Sequence, residues 1–107
     1  MQDMDEFITI YVTARTMTEA ETISNTLLEA RLIACANMIE QIHSHYRWKG
    51  KLYTECEVLI IMKSQKKHLS AIISGVKALH SYEVPEIVAL PIIGGSPEYL
   101  KWLSEAT

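Results

Sequence analysis

Residues 33–63 read IACANMIEQIHSHYRWKGKLYTECEVLIIMK, and this stretch decides the fold. β-Branched and aromatic side chains lie on both sides of Trp48-Lys49-Gly50, as in two strands joined by a turn. The reading is a strand over Ile33–Arg47, a turn at Trp48-Lys49-Gly50 and a strand over Lys51–Lys63, with Gly50 as the left-handed residue of a short loop. Parity suggests the register. Leu52, Cys56, Val58, Ile60 and Met62 are even and apolar on one strand; Met38, Ile42, Tyr46 and Trp48 are even and largely apolar on the other. These faces coincide only if paired numbers have an even sum, which implies a three-residue loop or a bulged equivalent. Cys35 and Cys56 then point to opposite faces, so no disulfide is expected between them.

The length of the hairpin carries a second message. Thirteen residues, Lys51–Lys63, extend about 43 Å at roughly 3.3 Å each. A compact domain of this size has a radius of gyration near 13 Å, hence a diameter of roughly 34 Å. The hairpin is therefore expected to project. Its tip carries Tyr46, Trp48, Leu52 and Tyr53. An isolated hairpin is marginal in water, so a second subunit is expected to cover it; a monomer with shorter, bulged strands is the alternative.

Outward from the hairpin, Phe7–Ala14 reads as a strand with Ile8, Ile10 and Val12 on one face. Thr18 with Glu21 suggests a capping box for a helix whose stripe is Ala20, Ile23, Leu27 and Ala30. Ser64 is the expected cap of a second helix over Lys66–Leu79, and Pro85 turns the chain out of it. Ile87–Ile93 is a continuous apolar run, expected as a strand buried on both faces. Ser96 and Pro97 suit the start of a closing helix, Pro97–Ala106. The fold class is α+β: a ferredoxin-like βαββαβ sandwich with a long hairpin and a C-terminal helix. The 107 residues are expected to form one domain.

Composition excludes several classes. Ten basic residues against 13 acidic give a net charge of −3, a poor balance for a nucleic-acid binder. Apolar residues make up 49%, which argues against disorder and permits a core without metal or disulfide. No apolar run approaches the roughly 20 residues of a membrane span. The acidic start, Met1–Glu6, is unlike a secretory leader, so a cytoplasmic protein with two free thiols is expected.

Candidate chemistry clusters in two places. His43 and His45 share a strand face, and parity puts Glu55 and Glu57 on it too; this is a metal-binding face or merely a solvated one. His80-Ser81-Tyr82-Glu83-Val84-Pro85-Glu86 sets an imidazole, a phenol and two carboxylates at a helix-to-strand corner, where a binding site and a structural knot fit equally. Gly94-Gly95-Ser96 is an anion-binding turn or a plain one. Cys35 is a soft copper ligand or a small buried hydrophobe.

Ala34-Cys35-Ala36-Asn37, Tyr46–Lys51 (YRWKGK), Glu57–Lys63 (EVLIIMK), His80–Ile92 (HSYEVPEIVALPI) and Tyr99–Leu103 (YLKWL) together resemble the CutA family of divalent-cation tolerance proteins, from Phe7 to about Leu103. The resemblance implies an interlocked homotrimer similar to the PII signal proteins, with a role in tolerance to copper and other divalent metals. It implies a non-enzymatic protein that binds a metal ion or small molecule at clefts between subunits. The ligand residues expected are Trp48, Lys63, His80, Tyr82, Glu83 and Glu86, with His80 as the metal ligand. Members thought to bind copper carry a cysteine and two adjacent histidines where this chain has Val12, Leu79 and His80, so weak copper binding is expected. The family's His-Pro-Tyr corner has Ser81 here, and its Pro-Gly in the hairpin is replaced by Glu40-Gln41. Other readings are an acid–base enzyme using His80, oriented by Glu83 or Glu86, and a purely structural or anchoring trimer.

Overall fold

The computed structural model describes residues 6–107; the acidic run over 1–5 lies outside them. In chain order the elements are β1 (Phe7–Ala14), α1 (Met17–Glu29), β2 (Cys35–Trp48), β3 (Lys51–Gln65), a 3-10 turn (Lys66–His68), α2 (Leu69–Leu79), β4 (Ile87–Pro91) and α3 (Pro97–Ala106). The strands form one antiparallel sheet in the order β2-β3-β1-β4. Ile8, Ile10 and Val12 of β1 and Val58, Ile60 and Met62 of β3 meet Ala20, Ile23, Leu27, Ile72 and Val76 of α1 and α2 in the core. Alternation along the strands thus sends one face under the helices.

The other face is covered only in part. α3 lies over its Cys35–Gln65 end, where Gln65 Nε2 donates to Ser104 O (3.2 Å) and Thr107 Oγ1 (2.9 Å). Ile39, Val88 and Leu90 remain 47%, 47% and 44% exposed. β4 is accordingly an edge strand with one bare face, not the doubly buried strand its apolar run predicts. It also ends two residues earlier than expected, at Pro91.

The starts of α1 and α2 differ from expectation, whereas α3 begins at Pro97 behind Ser96 as expected. Thr16, not Thr18, caps α1: its Oγ1 accepts the Glu19 N–H (3.2 Å), while Glu19 Oε1 accepts the Arg15 N–H (3.2 Å). Thr16 and Glu19 have the same spacing as Thr18 and Glu21, and the Glu19 carboxylate both closes the cap and faces the corner after α2. Ser64 caps nothing; it is buried in β3 and donates to Leu32 O. α1 ends with Arg31 at φ 60, where Arg31 N–H reaches Leu28 O and Leu32 N–H reaches Leu27 O. That pair of bonds is a Schellman motif built on a non-glycine residue.

The hairpin corrects the parity reading. Its loop has two residues, Lys49 (φ 49) and Gly50 (φ 80), so Trp48 pairs with Lys51 and Tyr46 with Tyr53. Both central residues have positive φ, as a type I′ turn requires. Pairs near the tip sum to 99, but Ile39↔Leu59 and Cys35↔Lys63 sum to 98, the expected even register. Glu40 and Gln41 (φ 58) bulge out between the two halves. One extra residue flips every later side chain of β2 to the opposite face. Ile42, Ser44, Tyr46 and Trp48 therefore share a face with Glu55 and Glu57, and His43 and His45 do not. β1 pairs with β3 only as far as Val58, so the hairpin beyond it projects and the molecule measures 47 × 25 × 23 Å.

Candidate functional site

The projecting hairpin, the end of β1 and the corner after α2 enclose an open cavity of about 690 Å³. The hairpin contributes Tyr46, Trp48 and Glu57; the corner contributes Tyr82, Glu83 and Glu86. The bulge makes this possible, because it turns the tip's aromatics towards the corner.

Tyr82 ties corner to hairpin. Its Oη donates to Glu57 Oε2 at 2.7 Å, and Glu57 is only 6% exposed. Burial, then the bond to Glu57 and that carboxylate's charge, push the Tyr82 phenol far above its ordinary range, so it stays a donor. Lys49 bridges the mouth, with Nζ 3.6 Å from Glu83 Oε2 and 5.5 Å above the Trp48 ring. Tyr46 stacks on its cross-strand neighbour Tyr53 at 5.4 Å between centroids.

His80 lies beneath the cavity, its side chain fully buried. Nε2 lies 2.7 Å from Thr13 O and so carries the proton, while Nδ1 accepts the Tyr82 N–H at 3.1 Å. Both ring nitrogens are thus engaged within the chain. The carboxylate facing the ring is Glu19 of α1, 3.7 Å from Nδ1, not Glu83 or Glu86. Glu19 Oε2 also accepts the Ser81 N–H at 3.1 Å, a donor that a proline at this position would lack. Burial alone would raise the Glu19 carboxyl; hydrogen bonds from Ser81 and Arg15 and the nearby His80 outweigh it and hold the carboxyl below its ordinary value. Glu19 is the corner residue that sequence reading missed. Its signal was present as a second Thr-x-x-Glu, Thr16 to Glu19, two residues before the expected cap.

Of the six expected ligand residues, the structure gathers Trp48, Tyr82, Glu83 and Glu86 around the cavity, with His80 supporting it from below. Lys63 sits elsewhere: it pairs with Cys35 and Thr9 in the sheet and donates to Asn37 Oδ1 at 2.7 Å. The expected grouping of His43 and His45 with Glu55 and Glu57 is overturned, because the bulge pairs His43 with Cys56 and His45 with Thr54. Cys35 and Cys56 are both free; Cys35 pairs with Lys63, which stands seven residues from Cys56 along β3, roughly 23 Å, far beyond disulfide reach. Ser96 Oγ caps α3 by accepting the Tyr99 N–H at 3.4 Å. Among the described residues, no three His, Cys, Asp or Glu side chains converge on a point fit for a metal ion. The described residues of one chain therefore do not form a closed divalent-metal site.

Comparison with known proteins places this geometry. The family model described as CutA1 divalent ion tolerance protein matches residues 8–106. A Thermus thermophilus protein named divalent-cation tolerance protein CutA is 43% identical over 104 residues, 97% of this chain and 99% of that one. A Xenopus laevis protein named Protein CutA homolog is 45% identical over 95 residues, covering 89% of this chain but only 63% of the frog protein. The crystal structure of CutA1 from Oryza sativa superposes with a TM-score of 0.92 at 39% identity, over 95% of this chain and 94% of that one.

Proposed function

Because the chain belongs to the CutA1 divalent ion tolerance family, we propose that it acts in divalent-cation tolerance as a non-enzymatic homotrimer, binding a metal ion or small ligand at clefts between subunits. One ferredoxin-like domain per chain, in a reducing cytoplasm that suits two free thiols, completes the reading. The observation that carries it is the cavity, with Glu57, Glu83 and Glu86 set among Trp48, Tyr82 and Tyr46. Carboxylates and aromatic faces both attract cations, and the chain's own Lys49 ammonium already lies between Glu83 and Trp48. The bare sheet face around Ile39, Val88 and Leu90 supports the trimer.

A divalent ion at the mouth would meet the oxygens of Glu83 and Glu86, too few to close a shell, so binding is weak and shared with water or a second chain. At His80, a metal must displace the Tyr82 N–H from Nδ1 or the Thr13 bond from Nε2. Metal and proton compete for imidazole, so binding there also falls with pH. Calorimetric titration with Cu(II) and Zn(II) tests the reading on native protein and on Glu83→Gln/Glu86→Gln, whose exposed side chains leave the fold intact. Weakened binding in the double variant supports the cavity. Unchanged binding there, with loss in His80→Ala, moves the metal to the imidazole.

A further inference from the structure

The bulge that clears the cavity builds a different cluster on the opposite face of the hairpin. His43 and Cys56 are directly paired across the strands, and His43 Nδ1 lies 3.9 Å from Cys56 Sγ. His45 follows on the same face, its Nδ1 3.4 Å from Thr54 Oγ1. All three side chains are exposed. We infer that His43 and Cys56 form a binding site for a monovalent, thiophilic copper ion, Cu(I).

The spacing fits a shared metal. With metal–sulfur and metal–nitrogen bonds of about 2.3 and 2.0 Å, the two donors stand roughly 3.5 Å apart at a tetrahedral ion and about 4.3 Å apart at a linear one. The observed 3.9 Å lies between these limits, so a metal enters with little movement of either side chain. The donors select the ion. A thiolate and an imidazole are soft to borderline ligands that favour Cu(I) or zinc over magnesium or calcium. Zinc seeks four ligands, and this face does not gather even three ready-formed donors among the described residues. Cu(I) is content with two or three. Binding replaces the Cys56 S–H bond by S–Cu and releases the proton to solvent; the copper enters as Cu(I), so no electron transfer is required. Cross-strand pairing holds both donors on one rung, reducing the ordering cost of binding. Without the bulge, the same histidines would face Glu55 and Glu57, a harder donor set.

The His43–Cys56 pair is not part of the corner cavity, which His45 also borders, and its test does not depend on that reading. Anaerobic titration of the full chain with Cu(I), in competition with a chromophoric Cu(I) chelator, measures it directly. One Cu(I) per chain is expected, with X-ray absorption showing mixed sulfur and nitrogen ligation. Losing a donor should weaken binding at least about tenfold in Cys56→Ser and in His43→Gln, while Cys35→Ser binds as native protein does. Loss in Cys35→Ser with retention in Cys56→Ser would place copper at the other thiol and overturn the site. So would half a copper per chain with sulfur-only ligation, the mark of a thiol bridge between chains. Unchanged affinity in His43→Gln refutes the pair, and Zn(II) displacing Cu(I) at equal concentration refutes the choice of ion.

Discussion

Glu19 shows how much one side chain can organise. It accepts N–H groups from Arg15 and Ser81 and faces His80, joining the start of α1 to the corner 62 residues later. Its carboxyl is held below its ordinary value in the fold by these hydrogen bonds and by His80. A depressed folded value means that the ionised form stabilises above the unfolded value and that this stability is lost as pH falls through the folded one. Melting temperature followed by circular dichroism should therefore drop below about pH 4.5. Glu19→Gln should cost about 1–2 kcal/mol at pH 7 and remove part of that acid drop; a variant curve running parallel to native through the acid limb would show that Glu19 does not contribute to it. Tyr82→Phe strands the buried Glu57 carboxylate without its donor and should cost about 2 kcal/mol in urea unfolding. Tyr82 was legible as a site residue because it sits in a dense polar run. Its partner Glu57 was also singled out, but with His43 and His45; nothing local links it to Tyr82, 25 residues away.

Among the elements, the hairpin and the helix pair are the most sensitive to single residues. Gln41 holds φ 58 at the bulge, where the resembling family carries the glycine of Pro-Gly. That departure was the available sign that the backbone there turns left-handed. Gln41→Gly should raise stability by about 1 kcal/mol by relieving a conformation costly for any residue with a Cβ; an unchanged or lowered melting temperature would show that the Gln41 side chain offsets the strain. At Gly75, an added Cβ would stand 2.8 Å from Leu27 Cδ2, and Leu27 is 1% exposed in the core. Alanine gains up to about 1 kcal/mol of helix propensity, but pushing Leu27 into a packed core costs about 1–3. Gly75→Ala should be destabilising overall, read as a lower urea midpoint at constant slope.

At the level of the whole molecule, one sheet face is dry under α1 and α2 while much of the other stands bare beyond α3. Ile39, Val88 and Leu90 on that face, and the stacked Tyr46–Tyr53 pair further along the projecting hairpin, form an apolar surface that a solitary chain would expose. Light scattering at micromolar concentration should give three times the chain mass. Deleting the tip, Tyr46–Tyr53, should leave smaller species or aggregates; an intact trimer after deletion would show that the tip is not the clamp.

Strand and helix types, their order, the end of the hairpin at Gly50 and the core stripes of β1 and β3 were set by local periodicity and turn chemistry, which act over a few residues and are written in sequence. The doubly apolar run at β4 was also legible, but its second face is bare in the chain because strand order, which makes β4 an edge, is decided only by packing. Tertiary structure alone decided which face each hairpin residue joined. A single extra residue at Glu40-Gln41 inverts the pleat, and strand alternation reads the same on either side of it. That inversion gave the cavity its aromatics and turned His43 from the glutamates to Cys56. His80, singled out as a metal ligand, has a buried side chain with both nitrogens engaged, because Thr13 and the Tyr82 N–H meet it and Glu19 closes over it. Such encounters arise from closure of the fold over long separations, where no local pattern records which side chains will meet.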